Sequence, residues 1–170
     1  MATRAVLDAD VWVAALLSPS GASAELLLAL EDRQFQAVWS APLLREVEEA
    51  LRDPKIRERY HVRLLEVRLL VEIAARYGRE VTITGRTSLS DDPGDDKIIE
   101  TALRGKARYL VSFNVRHFSR GRAASHLSRS GVAVLFPAQF LRIVRPLVEP
   151  ARRRAGKLAT RLVNLRGKGR

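Results

Sequence analysis

The chain has 170 residues, no cysteine, a hydrophobic fraction of 46% and a formal net charge of +11. That length suits one domain around a single core, and the absence of cysteine excludes disulfides, thiolate metal sites and thiol nucleophiles, leaving oxygen and histidine as metal ligands. No apolar run approaches the roughly 18 residues of a membrane span, and Asp8 interrupts the N-terminus before a signal-like segment can form, so a soluble cytoplasmic protein is expected.

In chain order, RAVL is a short apolar run ending at Asp8, as a buried strand would. SPSG (18–21) makes a turn, ASAELLLALEDR a helix, FQAVWS (35–40) a second strand, and PLLREVEEALRD a helix with Pro42 in its first turn. From Pro54 to about Gly78 apolar residues recur at three- and four-residue spacing, which predicts one long helix with His61 on its surface. EVTIT (80–84) reads as a third strand. The aspartate-rich stretch SDDPGDDK opens a helix to about Arg104, ARYLVS (107–112) is a fourth strand, and NVRHFSRG (114–121) is a loop. Weak helix or coil follows to Ser130, then a strand VAVLF and a helix PAQFLRIVR. This alternation predicts an α/β fold, a three-layer α/β/α sandwich with a mainly parallel central sheet over residues 1–148. The basic segment 149–170 carries little apolar area and is expected to be a mobile tail.

Charge is unevenly distributed. Residues 151–170 hold eight Lys or Arg and no acid, and residues 101–148 hold nine and no acid, so the acids lie almost wholly in the first hundred positions. Such a division points to a polyanion approaching one side, with Arg116, Arg120 and Arg122 as candidate phosphate contacts. The plain alternative is solvated basic surface.

Ligands of an open parallel sheet bind beyond the carboxyl ends of its strands. Asp8 and Asp10 follow strand one, Glu46 lies early in the helix after strand two, the aspartate cluster opens the helix after strand three, and Asn114 follows strand four. On a helical wheel of about 100° per residue, the stripe of Ile98, Ile99, Ala102 and Leu103 centres near Asp95, which aims that carboxyl along the core face. An inward carboxylate needs a partner, and a cation supplies one. Capping competes with this reading: Asp92 before Pro93 resembles an N-cap, Asp95 three residues later suits a capping box, and Asp96 faces solvent. Among Glu46, Glu48 and Glu49, Glu46 best flanks the apolar stripe of its helix. Oxygen ligands fit Mg²⁺ or Mn²⁺, and such an ion beside basic surface suits phosphodiester hydrolysis.

Four segments in this order resemble the PIN-domain ribonucleases, especially the VapC-like toxins of toxin–antitoxin pairs: AVLDADVWVAALLSPSG, SAPLLREVEEALRD, DDPGDDKIIETALRGKARYLVSFNVRHF and VAVLFPAQFL. The resemblance implies Mg²⁺- or Mn²⁺-dependent cleavage of RNA, frequent homodimers and, in the toxin branch, a small antitoxin partner. It makes Asp8, Glu46 and Asp95 the catalytic acids and metal ligands. Where that family has a fourth acid, this chain has Asn114, a neutral ligand, so a second metal should bind more weakly unless Asp10, Asp92 or Asp96 compensates. Ser112 either orients a ligand or water or is structural. Two rivals stand beside this reading. VLDADV also resembles the start of haloacid-dehalogenase phosphohydrolases, with Asp8 as nucleophile, and Asn114 admits an RNA- or partner-binding module without turnover. His117 and His126 are assigned to basic coil rather than to metal, and Trp12 and Trp39 to packing.

Overall fold

The computed structural model describes residues 3–145 and 158–167. Five parallel strands form one sheet in the order β3-β2-β1-β4-β5: β1 (Arg4–Leu7), β2 (Gln36–Trp39), β3 (Arg79–Glu80), β4 (Tyr109–Val111) and β5 (Ala133–Leu135). β1 is central, and Ala5, Val6 and Leu7 are fully buried because helices cover both its faces, which is why its sequence is a continuous apolar run. The expected α/β architecture with a parallel sheet is the architecture observed.

Ten helices accompany the sheet among the described residues: α1 (Ala9–Leu17), α2 (Ala22–Glu31), α3 (Ala41–Arg52), α4 (Pro54–Tyr60), α5 (Leu64–Tyr77), α6 (Asp96–Arg104), α7 (Val115–Phe118), α8 (Gly121–Arg129), α9 (Pro137–Val144) and α10 (Leu158–Gly167). α3 links the helices on either side by packing on α1, α5 and α6. α2 packs on α1, α5, α9 and α10, while α6 packs on β1, β2 and α8. The core joins Trp12, Leu27, Phe35, Val38, Leu70, Ile99, Leu110 and Phe140, and Trp12 satisfies its buried indole by donating Nε1–H to the Leu7 carbonyl at 3.1 Å.

Four sequence expectations are corrected. The single helix from Pro54 is two: His61 adopts a left-handed conformation (φ 52°) that ends α4, and Glu66 reaches back to accept the Arg63 N–H at 2.8 Å and its guanidinium at 3.0 Å where α5 starts. The third strand is only Arg79–Glu80, extended by the Val81 N–H donating to the Trp39 carbonyl, and the rest of EVTIT leaves the sheet. Asp92 does not cap α6. Its Oδ1 accepts the Gly94 N–H at 2.8 Å in a separate turn, and Asp95 occupies the N-cap position of a helix that begins at Asp96. Within the expected mobile tail, residues 158–167 form α10, with Ala159 and Leu162 buried and Arg166 donating to the carbonyls of Leu16, Tyr60 and His61. Residues 149–157 and 168–170 of that segment lie outside the described residues.

The segment leading to the acidic loop is anchored by Glu100, whose side chain is buried. It accepts hydrogen bonds from the Thr84 N–H and hydroxyl, the Gly85 N–H, the Thr87 hydroxyl and Arg104 Nε. Burial works to raise its pKa, but these donors outweigh burial and hold it at about 2. The folded value lies below the ordinary 4.5. The resulting stabilisation is therefore complete above about pH 4.5 and is lost as pH falls toward 2. Glu100→Gln is expected to destabilise the chain by about 2–3 kcal/mol at pH 7, read from urea unfolding. The difference from wild type should shrink below pH 4.5.

Candidate metal centre

The register of the two central strands sets the first acid. Leu7 pairs with Val111, and the Asp8 N–H continues the ladder by donating to the Val111 carbonyl at 2.9 Å, so Asp8 and Ser112 emerge side by side. Asp8 caps α1 through Oδ1, which accepts the Ala9 N–H at 2.8 Å, while Oδ2 accepts the Ser112 hydroxyl at 2.7 Å. Ser112 Oγ also lies 3.3 Å from Asp10 Oδ2 and accepts the Asn114 N–H at 2.9 Å. A hydroxyl has one proton to give, and the shorter contact assigns it to Asp8. Asp10 Oδ2 then relies on the Phe113 N–H at 3.1 Å, and its Oδ1 is buried with no hydrogen-bond partner among the described residues.

Glu46 reaches this edge from α3 and pairs with Lys97 Nζ of α6 at 2.9 Å. Its rivals lie elsewhere: Glu48 pairs with Arg52 one turn on, and Glu49 is exposed. α3 and α6 are held in place by a buried bond between the Ser40 and Thr101 hydroxyls at 2.8 Å; Thr101 gives its own proton to the Lys97 carbonyl, so Ser40 is the donor. Asp95 enters from the N-terminus of α6. Its Oδ2 lies 3.6 Å from His117 Nδ1 of α7, and ligand atoms of Asp92, Asp95 and His117 all fall within 4.8 Å of one another.

Electrostatics link these groups. Burial raises the pKa of Asp8; the Ser112 and Ala9 hydrogen bonds pull it down, neighbouring Glu46 pushes it up and Lys97 lowers it, with a net rise. Burial, then the Asp8 charge, raises Asp10 to about 6. Asp95 is raised by burial first and then by Asp92, with Asp8 and Asp96 adding to the effect and His117 opposing it. The Glu46 charge thus acts on Asp8 and the Asp8 charge on Asp95, although among the described residues the ligand atoms that gather within 4.8 Å are those of Asp92, Asp95 and His117, not those of Asp8, Glu46 and Asp95 together.

The other candidates are placed differently. Asp96, expected to face solvent, turns back to accept the N–H groups of Leu89 and Ser90 and the Ser90 hydroxyl through one oxygen. Burial alone would raise its pKa, but these donors and Arg122 lower it, so Asp96 pins the loop. Arg122 is committed to the same loop, donating to Asp91 at 3.2 Å, to Ser88 at 3.0 Å and to the Ser90 carbonyl. Gly121 beside it has φ +62°, a conformation that favours glycine, and a Cβ there would crowd the end of the Asp91 side chain. Arg116 and Arg120 are exposed, as is Asn114, which precedes the short α7 without a side-chain capping bond.

The donor set suits a hard divalent cation. Several carboxyls hold their protons more tightly than free aspartate, and a buried carboxylate oxygen of Asp10 has no donor, so positive charge is what this edge lacks. Sequence reasoning overlooked Lys97 and assigned His117 to basic coil rather than to metal, whereas it lies in α7 with its ligand atom grouped with those of Asp92 and Asp95. The lysine follows two aspartates and the histidine lies three positions beyond Asn114, but neither position reveals that α6 faces α3 and that α7 faces the α6 N-terminus.

No single helix among the described residues is long and apolar enough to cross a membrane. No curated protein and no solved structure matches the chain significantly, whereas a family model described as PIN domain matches residues 4–116. That match covers both central strands, all of the acids discussed above and the start of α7. The chain belongs to the PIN-domain family, whose members are generally nucleases.

Proposed function

We propose that the protein is a metal-dependent endoribonuclease in which Asp8, Glu46 and Asp95 hold Mg²⁺ or Mn²⁺. The observation that carries this reading is the gathering of carboxylates at the carboxyl edge of the sheet, with Asp8 held by Ser112 at the end of β1, Glu46 reaching the same edge through Lys97, and Asp95 grouped with Asp92 and His117. A bound divalent cation supplies charge neutralisation at the phosphate and an attacking water of lowered pKa. The chain's own groups do the rest. Ser112 fixes the Asp8 carboxylate, Asp92 and His117 flank Asp95, and exposed Arg116 and Arg120 offer positive charge to the nucleic-acid backbone. The choice of RNA, the toxin role, a small antitoxin partner and a homodimer all rest on the VapC-like resemblance. Toxicity of the expressed chain, relieved by an antitoxin encoded beside it, tests that branch.

Membership of the PIN family displaces the haloacid-dehalogenase alternative. A second reading, an RNA-binding module without turnover, is favoured by two features: Asn114 brings no charge, and Glu46 is already paired with Lys97. Cleavage separates the two. Asp8→Asn and Asp95→Asn are each expected to slow Mn²⁺-dependent RNA cleavage at least about 10²-fold, the scale of losing a charged group at a reacting centre. RNA binding should persist in both variants, and uncut RNA with the wild-type chain would leave the binding module as the answer.

Proton and metal should compete at this edge. Because Asp10 is raised from 3.8 to about 6, the metal-free fold loses stability from this group as pH rises through that window, and the loss is complete above about 6. Asp10→Asn is therefore expected to raise the Tm of the metal-free chain at pH 7.5 and to leave it nearly unchanged at pH 4. Addition of Mn²⁺ should raise the wild-type Tm more at pH 7.5 than at pH 5, because ligands must be deprotonated to bind. Equal shifts at both pH values would contradict carboxylate ligation.

A further inference from the structure

Lys97 is the second residue of α6, in the first turn, where the helix dipole disfavours a cation. Local preference does not account for it there; the acids do. Its Nζ lies 2.9 Å from Glu46 Oε2 and lowers the pKa of Asp8, and both members of the pair remain partly open, with side chains 32% and 43% exposed. A lysine head on a four-carbon stem can exchange partners without any backbone movement. Asn114 is neutral, so the end of β4 offers no carboxylate to a second cation.

We propose that Lys97 is a catalytic residue: when a divalent cation takes the Glu46 carboxylate, the ammonium moves to the scissile phosphate and supplies charge in place of a second metal. This rests on the nuclease reading above. In the hydrolysis the water oxygen bonds to phosphorus and the P–O bond to the leaving ribose oxygen breaks. The proton lost by the water reaches the leaving oxygen through solvent. Lys97 keeps its own proton and acts by charge on the phosphate oxygens.

The test compares wild type with Lys97→Met and Lys97→Arg in two measurements. One is calorimetric titration of the RNA-free chain with Mn²⁺; the other is single-turnover RNA cleavage at saturating Mn²⁺ and RNA. Circular dichroism establishes that each variant is folded. Lys97→Met should bind Mn²⁺ about two- to fivefold more tightly, the size of a lost half-exposed ion pair. It should nevertheless cleave about 10²-fold more slowly, with part of the rate restored in Lys97→Arg. A merely structural role would not make metal binding tighter and turnover slower together. Cleavage at the wild-type rate by Lys97→Met, slowing that vanishes at higher Mn²⁺, or unchanged Mn²⁺ affinity each overturns the assignment. A wild-type chain that binds Mn²⁺ and cuts nothing removes the nuclease reading as well, whereas a cutting wild type beside an unimpaired Lys97→Met removes Lys97 alone.

Discussion

The arrangement of the acidic edge depends on one hydroxyl. Ser112 is fully buried at the end of β4 and touches Asp8, Asp10 and the Asn114 N–H, three groups delivered by two neighbouring strands and the loops beyond them. Because it can donate only one proton, it settles Asp8 and leaves Asp10 short of donors. The position of Ser112 follows from the register of Ala5, Val6 and Leu7 against Tyr109, Leu110 and Val111, which is fixed by their burial on both faces. A slip of one residue would swap the apolar side chains between the two covered faces, spoil their packing, and part Asp8 from Ser112. Core packing and the chemistry of the edge are thus set by the same pairing.

What was legible in the sequence follows from this. An apolar run ending in an aspartate announces both a buried strand and the place where its carboxyl end opens, so Asp8 and Asp10 could be found without coordinates. A helical wheel can start at Asp95, because Asp95 already has helical dihedrals (φ −83°, ψ −17°) although α6 is hydrogen-bonded only from Asp96. Asp92 misled because Pro93 and Gly94 turn the chain once before the helix starts, and aspartate followed by proline looks the same in both settings. His61 was hidden more thoroughly. The apolar spacing runs on through the break, while the left-handed turn depends on packing around the α4–α5 junction, where Arg166 of α10 binds the Tyr60 and His61 carbonyls. Lys97 and His117 eluded any reading of one helix at a time, since each is defined by an acid on a different element.

The acidic loop is built as a tied structure rather than a loose run of charge. Asp96 gathers three donors from Leu89 and Ser90, Arg122 binds Asp91, Ser88 and Ser90 from across the chain, and Gly121 lies beside Asp91 without crowding it. Of the aspartates between positions 91 and 96, Asp91 and Asp96 therefore serve the loop, whereas Asp92 and Asp95 turn toward His117. A cluster that reads as uniform in sequence divides into two jobs, and the division decides which carboxylates remain available to a cation.

The basic half of the chain divides in the same way. Arg122 holds the loop, Arg104 holds Glu100, and Arg145 pairs with Glu25 at 2.6 Å. Arg166 is two steps removed from any role at the sheet edge: it satisfies three carbonyls and lies 3.5 Å from the buried Glu66. These arginines are committed to protein groups, so the formal +11, which such pairing leaves unchanged, does not tell how the free positive charge is distributed. The field felt by a phosphate at the carboxyl edge depends instead on a few groups near it, the exposed Arg116 and Arg120, together with Lys97 and whatever cation the carboxylates hold. The acids lie closest to where a scissile bond would sit, so without a bound cation the nearest charges repel the substrate that the more distant ones attract. Cation binding and nucleic-acid binding should on this account reinforce one another, each neutralising what opposes the other.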